Sequence, residues 1–477
     1  MRYPTHLAVL ACVLTSVATA LAQATPPVQP KVVETPLPPA VELPGPELLA
    51  PDLPPGPIRA ADAARLALRH QPLILAATAG LQSAEAQSQQ ARSAIRPSVS
   101  VGGNFTDLVL ETGGTRSVGA SSTSSEVNLA AVSVPRVTIA RSGSQVSATV
   151  SRLFYDSGHT RHVVRQAVAG ERSAAADLTR VRSDVVLWVK QAFYQYLQAV
   201  RLIGVAEQNL RNQDYHLALA QARLNSGLGL PLDVSRAQAA RAQAIYDLSA
   251  ARNTAAQARV SLAELIGLDP RTPIEPADSY EPVVEPTDLA EVTQQALRQR
   301  PEMIQAQANL DAARFALNAA RTFNSPAVVG SLSLAHQHIK SSPSGQQLGV
   351  GVGVQWAPFD GGFTAGLVKD ARAASQRVQS EMDSTRLAVV ADVSAAYLNL
   401  KTAEQRVSTA QTEIYNAEEA VRLAQGRYQT GVGLFLDILD AQATLDQARA
   451  NHVNAISAVD QARAALAHAV GTPPPEP

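Results

Sequence analysis

The chain contains two copies of one long segment. The stretch from Arg223 to Ala239 reads RLNSGLGLPLDVSRAQA and returns at Arg427 as RYQTGVGLFLDILDAQA, with every position shifted by 204 residues. The same offset relates Asp156 to Asp360. A constant offset over such a span means that every element between these points has the same length in both copies. Long internal repeats of this kind are typical of stacked or ring-forming architectures.

A long stretch without proline occurs once in each copy, over residues 158–230 and 362–434. Its apolar residues recur at steps of three and four positions, which predicts a helix of about 65 residues, about 100 Å long at 1.5 Å per residue. A helix of this length needs a packing partner, and the segments 232–266 and 435–470 that follow can supply it. The sequence therefore predicts two long helical hairpins.

The turn of each hairpin is rich in glycine, which permits the left-handed backbone that ends a helix. An aspartate follows each turn, and the second copy adds Asp440 where the first copy has Arg236. Asp437 and Asp440 lie three residues apart, so we expect them to share one helix face. The alternative is a pair of ordinary acids that complement the helix dipole. The residues singled out at these turns are Gly227, Gly229 and Asp233 in the first copy, and Gly431, Gly433 and Asp437 in the second.

One strand hairpin is predicted before each long helix, because apolar residues alternate there with small polar ones. The strands cover about 98–110 and 145–155 in the first copy, and about 327–338 and 347–357 in the second. Since the second face carries Ser, Thr, Gly and Gln, we predict a transmembrane barrel wall with an apolar outer face and a wet lumen. A small soluble sandwich packed on helices is the alternative.

Each strand hairpin ends in a short turn that leads into the long helix. Aspartate is a good N-cap, so we assign helix-start turns to Asp156 with Gly158 and to Asp360 with Gly361 and Gly362. Aromatic residues stand close to these turns. They either form a girdle at the membrane interface or pack at the junction of strand and helix. They are Phe154, Tyr155, Trp356 and Phe359.

The N-terminal region reads as an export signal followed by an arm. Residues 1–22 combine Arg2, an apolar run and a small-residue cleavage site, which predicts a cleaved signal peptide. Cys12 is the only cysteine and lies in that run, where too few apolar residues precede it to favour lipid attachment. Residues 23–57 form a proline-rich arm. The rest divides into a first repeat (58–267), a linker (268–287), a second repeat (288–471) and a tail (472–477).

Composition excludes several classes of function. The chain carries 40 basic and 41 acidic residues, and this balance disfavours a nucleic-acid partner. After the signal peptide no segment reaches the roughly 18 apolar residues of a membrane-spanning helix, so strands would have to carry the protein into a membrane. His336 and His338 share a strand face, but no carboxylate or cysteine lies near them in sequence. We expect no enzyme activity, no metal and no cofactor.

The duplicated order of helix, helix, strand hairpin, aspartate-glycine turn, long helix, glycine tip and return helix resembles the TolC-like outer-membrane efflux proteins. The resemblance covers about residues 58–471. It implies a homotrimer in which four strands from each chain close a 12-stranded barrel on an α-helical tunnel. It also implies passive export across the outer membrane of a Gram-negative bacterium. The implied partners are outer-membrane lipid, a periplasmic adaptor and an energised inner-membrane pump.

The resemblance also implies roles for residues at the hairpin tips. Asp437 and Asp440 match paired acids that ring the tunnel entrance. Tyr428 matches a tyrosine that bonds to the aspartate at the position of Asp233 and keeps the entrance closed. An arginine takes part in that closure in the best-known member, and Gly433 stands at its position here. Two other classes remain open at this point, a periplasmic adaptor and a secreted coiled-coil scaffold without a pore.

Overall fold

The computed structural model describes residues 56–107, 142–277, 288–339 and 342–473. The predicted signal peptide, the arm up to residue 55 and residues 278–287, which are half of the predicted linker between the repeats, lie outside the described residues. The first copy comprises α1 (Ala60–His70), α2 (Pro72–Ser93), β1 (Ser98–Asp107), β2 (Ser142–Tyr155), α3 (His159–Asn225) and α4 (Pro231–Ile266). The second comprises α5 (Leu289–Gln299), α6 (Pro301–Thr322), β3 (Ala327–Ile339), β4 (Ser342–Gln355), α7 (Phe363–Gln429) and α8 (Phe435–Val470).

The two copies have helices of identical length. The long helices α3 and α7 each have 67 residues, and their return helices α4 and α8 each have 36. A 22-residue helix, α2 or α6, packs along the same long helix as the return helix of its copy. The long helix α3 also contacts α6 and α8, so it joins the two copies. None of the helices in the described ranges is both long and apolar enough to cross a bilayer.

The second hairpin packs through a seven-residue repeat, the pattern of a left-handed coiled coil. Alanine takes four of the five places in one row of α7, which lets the neighbouring helices approach closely. The buried residues of α7 are Val389, Ala396, Ala403, Ala410 and Ala417 in that row, and Val393, Leu400, Val421 and Tyr428 in the other. Those of α8 include Ile438, Leu445, Val459 and Leu466, and Ala448, Ala455 and Ala469.

The four strands form one antiparallel sheet in the order β1-β2-β3-β4. One row across it pairs Val99 with Val150, Val150 with Leu332, and Leu332 with Val350. The adjacent row, on the opposite face, places Ser100, Thr149, Ser333 and Gly349 side by side. The sheet therefore has one apolar face and one face of small polar residues and glycine.

The strand ends differ from those that alternation predicts. β4 begins at Ser342, well before residue 347, because Ser342 pairs with Ile339 and Gln346 pairs with His336. It ends at Gln355, so Trp356 lies beyond it. β2 begins at Ser142 rather than near residue 145. An alternating pattern marks a strand only where one of its faces is apolar. Backbone hydrogen bonds between strands continue through polar residues, such as those at the start of β4 and β2.

We expect the alanine row of α7 to tolerate no larger side chain. Ala396 is buried and Ala395 beside it is exposed. Ala396→Leu should destabilise the protein by about 1–3 kcal/mol, because the added atoms force the packed helices apart. Ala395→Leu, the matched control, should change stability little. Thermal unfolding followed by circular dichroism checks both, and equal losses for the two variants would contradict the packing described here.

Candidate functional site at the hairpin tips

The chain reverses at the tip of each helical hairpin through the same turn. In the first copy the carbonyl of Arg223 accepts the N–H groups of Leu228 and Gly229, at 3.0 and 2.9 Å. In the second copy the carbonyl of Arg427 accepts those of Val432 and Gly433 at the same distances. Left-handed glycines make the turns possible, with φ of 77° at Gly227 and 79° at Gly431.

Gly229 and Gly433 are needed for a different reason, the closeness of the preceding helix turn. A Cβ atom at Gly229 would lie 2.7 Å from the backbone nitrogen of Leu224. One at Gly433 would lie 2.9 Å from the Cβ of Arg427. The tip therefore has no room for an arginine at position 433 unless its backbone moves.

A small apolar cluster joins the tips of the two hairpins. Tyr428 of α7 is only 5% exposed, and its ring lies 5.5 Å from that of Phe435 at the start of α8. Both belong to a buried group with Ile438 of α8, Ala220 of α3 and Ala237 of α4. All four long and return helices thus contribute to one cluster, and separating the hairpins at the tip would expose it.

Arg223 adds a polar contact across the same junction. Its guanidinium carbon lies 4.3 Å from the centre of the Tyr428 ring, and its Nη1 donates a hydrogen bond to the Tyr428 carbonyl. Sequence reasoning did not single out this residue as functional. The repeat places an arginine at both equivalent positions, Arg223 and Arg427, and nothing in the sequence tells them apart.

Asp233 lies close to the hydroxyl end of Tyr428. It is itself buried in the first turn of α4. Burial, followed by the negative charge of Asp233, raises the pKa of the Tyr428 phenol above its usual value, although Arg223 opposes the shift. The phenol is therefore neutral near pH 7. The Tyr428 hydroxyl makes no hydrogen bond of acceptable geometry among the described residues.

Asp437 and Asp440 have different surroundings although they lie on the same helix. Asp437 is half-buried and accepts the N–H of Leu434 at 3.2 Å, so it caps its own helix. Asp440 is exposed one turn further on. Arg236, which stands at the equivalent place in the first copy, is also exposed. A role for the two aspartates in an entrance ring stays a prediction.

The turns between sheet and long helices are built alike in both copies. Asp156 accepts the N–H groups of Gly158 and Thr160 at 3.0 and 2.6 Å, and Asp360 accepts those of Gly362 and Thr364 at 3.1 and 2.8 Å. Burial by itself would raise the pKa of Asp156, but the hydrogen bonds from Thr160 and Gly158 outweigh it and lower that pKa. The left-handed residues are Ser157, Gly158, Gly361 and Gly362.

The other residues singled out from the sequence lie on or beside the sheet. Phe154 sits at a bulge between Leu153 and Tyr155, and its ring covers Gly330, where any Cβ would collide with it. His336 pairs with Val146, which puts it in a row of the apolar face. Across the described ranges, no group of three or more His, Cys, Asp or Glu side chains is arranged to hold a metal ion. The aromatic residues Phe154, Tyr155, Trp356 and Phe359 are all exposed.

The fold and the tips define a class of protein: a duplicated, mainly helical chain whose paired helical hairpins extend from a four-stranded sheet. The chain belongs to the outer membrane efflux protein family, whose model matches residues 63–268 and 292–472. It is 28% identical over 316 residues to protein CyaE of Bordetella pertussis, covering 65% of this chain and 66% of CyaE. It is 25% identical over 337 residues to the outer membrane efflux protein BepC of Brucella suis, covering 69% of this chain and 73% of BepC.

Solved structures agree with this membership at the level of the fold. The outer membrane protein VceC of Vibrio cholerae superposes with a TM-score of 0.72 at 20% identity, covering 86% of this chain and 96% of VceC. The outer membrane channel MtrE of Neisseria gonorrhoeae superposes with a TM-score of 0.70 at 19% identity, covering 87% and 89%. The predicted mainly helical, duplicated fold, with one strand hairpin and one long helical hairpin in each copy, is thereby confirmed. The family consists of outer-membrane ducts rather than enzymes, and the findings support neither the adaptor nor the scaffold.

We expect the cap at the start of α3 to depend on pH. Asp156→Ala removes the acceptor of two backbone N–H groups and should cost about 1 kcal/mol at pH 7. Because the native pKa of Asp156 is lowered, its stabilisation is present above the unfolded-state value of about 3.9 and is lost as pH falls through the native pKa. Unfolding of both proteins from pH 7 to pH 3 should show the difference shrink. A difference that stays constant would contradict this role.

A second pair of variants tests the close packing at the tip. Gly229→Ala should destabilise the first hairpin by about 1–3 kcal/mol, because the new methyl group meets the backbone of Leu224. Gly426→Ala, near the end of α7, meets no atom within 4 Å and should stabilise the helix by about 0.5–1 kcal/mol. Thermal unfolding measures both. Equal shifts for the two variants would show that Gly229 is not sterically required.

Proposed function

We propose that three copies of this chain form a closed duct in the outer membrane, through which an inner-membrane pump discharges its substrate. The observation that carries the proposal is the sheet, which is incomplete in one chain. The outer edges of β1 and β4 pair with no other strand in the described ranges. Unpaired strand edges are avoided in isolated proteins because they invite association. A neighbouring copy would satisfy both edges.

The strand count favours closure into a ring. Because the sheet has four antiparallel strands, β4 of one chain and β1 of the next run in opposite directions and can continue the same ladder. Three sheets joined in this way make a barrel of twelve strands. The strands have 10 to 14 residues, and a strand needs about 9–11 to cross a bilayer. Closure by three copies accounts for both edges at once.

The faces of the sheet support the same arrangement. Val99 is 69% exposed and Val350 is 79% exposed, and both stand on the apolar face. Such surface is unfavourable in water and favourable in lipid, so we assign this face to the membrane. The face of Ser, Thr and Gly then lines a wet lumen.

The helices support a periplasmic extension with partners at its end. At 67 residues, α3 and α7 are each about 100 Å long, far more than the roughly 30 Å of a bilayer core. Their tips carry exposed apolar side chains on both hairpins, which suits a protein docking surface. We assign these tips to the periplasmic adaptor and the pump. The exposed tip residues are Leu228, Leu230, Val432 and Leu434.

Asp437 and Asp440 would give a trimer six carboxylates around its entrance, an arrangement that favours cations. We expect the double variant Asp437→Asn with Asp440→Asn to form channels with lower cation selectivity, measured as the reversal potential across planar bilayers in a salt gradient. Asparagine can still cap α8, so folding should survive. Arg236→Asp, the converse change in the first copy, should raise cation selectivity. Unchanged selectivity in both variants would exclude the ring.

The wild-type protein tests the duct itself. It should fractionate with the outer membrane, purify in detergent as a trimer and produce discrete conductance steps in planar bilayers. A monomer that stays soluble without detergent and gives no conductance would overturn the proposed function.

A further inference from the structure

Two histidines stand on one face of β3, near the end from which the chain continues to β4. His336 lies opposite Val146 of β2, and His338 lies opposite Ser144, in a register that is continuous between the two pairs. Alternate residues of a strand point to the same face and lie about 6.6 Å apart along the chain. Both imidazoles therefore project from the apolar face of the sheet, at its end remote from the helices.

A third donor comes from the neighbouring strand. Gln346 of β4 pairs with His336, so its amide stands beside that imidazole on the same face. Directly paired residues have Cβ atoms about 4.5–5.5 Å apart, within reach of a shared ion. The register of β3 with β4 shifts between Gln337 and Ile339, and within the described strands no residue of β4 pairs with His338. Sequence spacing gives the two histidines no third donor, whereas the sheet supplies one.

The three side chains are available as ligands. All are exposed, and none of them makes a hydrogen bond or an ion pair with a residue that the structure describes. Imidazole nitrogen is a preferred ligand of Zn²⁺, Cu²⁺ and Ni²⁺, whereas Mg²⁺ and Ca²⁺ prefer oxygen. Two imidazoles and one amide oxygen therefore favour a transition metal, and water can complete its coordination.

The three side chains lie where the apolar part of this face ends. Leu334 pairs with Leu348, and at the next pair on the same face His336 meets Gln346. A cation in the hydrocarbon core of a bilayer is costly. Under the proposed function this end of the face lies at the surface of the membrane, where water reaches the ion.

We propose that His336, His338 and Gln346 bind one divalent transition-metal ion per chain, at the end of the sheet remote from the helices. The inference goes beyond the proposed function, because the ion lies on the apolar face and not in the lumen through which a substrate would pass. It depends on the pairing of β2, β3 and β4, and it holds whether or not the chain forms a duct.

Isothermal titration calorimetry of the untagged protein in detergent with zinc chloride tests the site. The wild type should bind one Zn²⁺ per chain, and magnesium chloride should give no such signal. His336→Ala and His338→Ala should each weaken binding at least about tenfold, because even the outer partners of a metal site contribute that much. Gln337→Ala changes the opposite face of the same strand and should bind like the wild type. Equal affinity of the three variants, or no Zn²⁺ binding by the wild type, would overturn the proposal.

Two adjacent glutamines of β4 provide a test by gain of affinity. Gln346→His should tighten Zn²⁺ binding about tenfold, because three imidazoles form a ligand set that holds zinc in other proteins. Gln347 is also exposed but pairs with Ala335 on the opposite face, so Gln347→His should leave the affinity unchanged. Equal affinity of these two variants would contradict the site.

Electron paramagnetic resonance of bound Cu²⁺ reports the ligands directly. The wild type should show coupling to two imidazole nitrogens, and His338→Ala should show coupling to one. An unchanged spectrum in His338→Ala would exclude this residue as a ligand. Channels that conduct without binding Zn²⁺ would reject the metal site and retain the duct, whereas Zn²⁺ binding without conductance would reject the duct and retain the site.

Discussion

The close approach of long helices through small side chains is the constraint on which the rest of this structure depends. A helix of 67 residues cannot bury itself, and α7 meets its neighbours through a row in which Ala396, Ala403, Ala410 and Ala417 recur every seventh residue. Methyl groups at these positions let the helix axes approach, as in a left-handed coiled coil. The buried rows of α7 run from Val389 to Tyr428, so this packing connects the middle of the long helix to the tip of the hairpin.

At the junction between sheet and helices the chain passes from a paired strand into a long helix within one short turn. After Asp156 and Asp360 the strand conformation ends in two successive residues with left-handed backbone. The aspartate carboxylate then accepts hydrogen bonds from the first unpaired N–H groups at the start of the helix. The two turns share this bonding, although Ser157 stands in the first where Gly361 stands in the second. Both long helices therefore start in the same way from the same sheet, as two equal halves of the proposed ring would.

The tips are the place where the two copies stop being equivalent. Their backbones reverse through identical hydrogen bonds, yet Tyr428, Phe435 and Ile438 of the second copy fill the junction while the first contributes Ala220 and Ala237. The first copy supplies Arg223 to the junction, whereas Arg427 remains exposed. The two copies thus share one scaffold but differ at their hairpin tips. Substitutions at the tips can therefore alter the entrance of the proposed duct without disturbing the packing of the long helices.

The sequence by itself determined the duplication, the order of elements and the family. The constant offset is visible in the sequence, and the steps of three and four residues in helices and of two in strands follow from local geometry. The same periods predicted which strand face is apolar, but the start of β4 was missed, since the pairing of Ser342–Gln346 with β3 leaves no mark in hydropathy. Only the tertiary structure decided that Arg223 rather than Arg427 meets Tyr428, and that a side chain at Gly433 would collide with Arg427. Identical residues in two copies differ only in their distant neighbours, and those neighbours are set by packing.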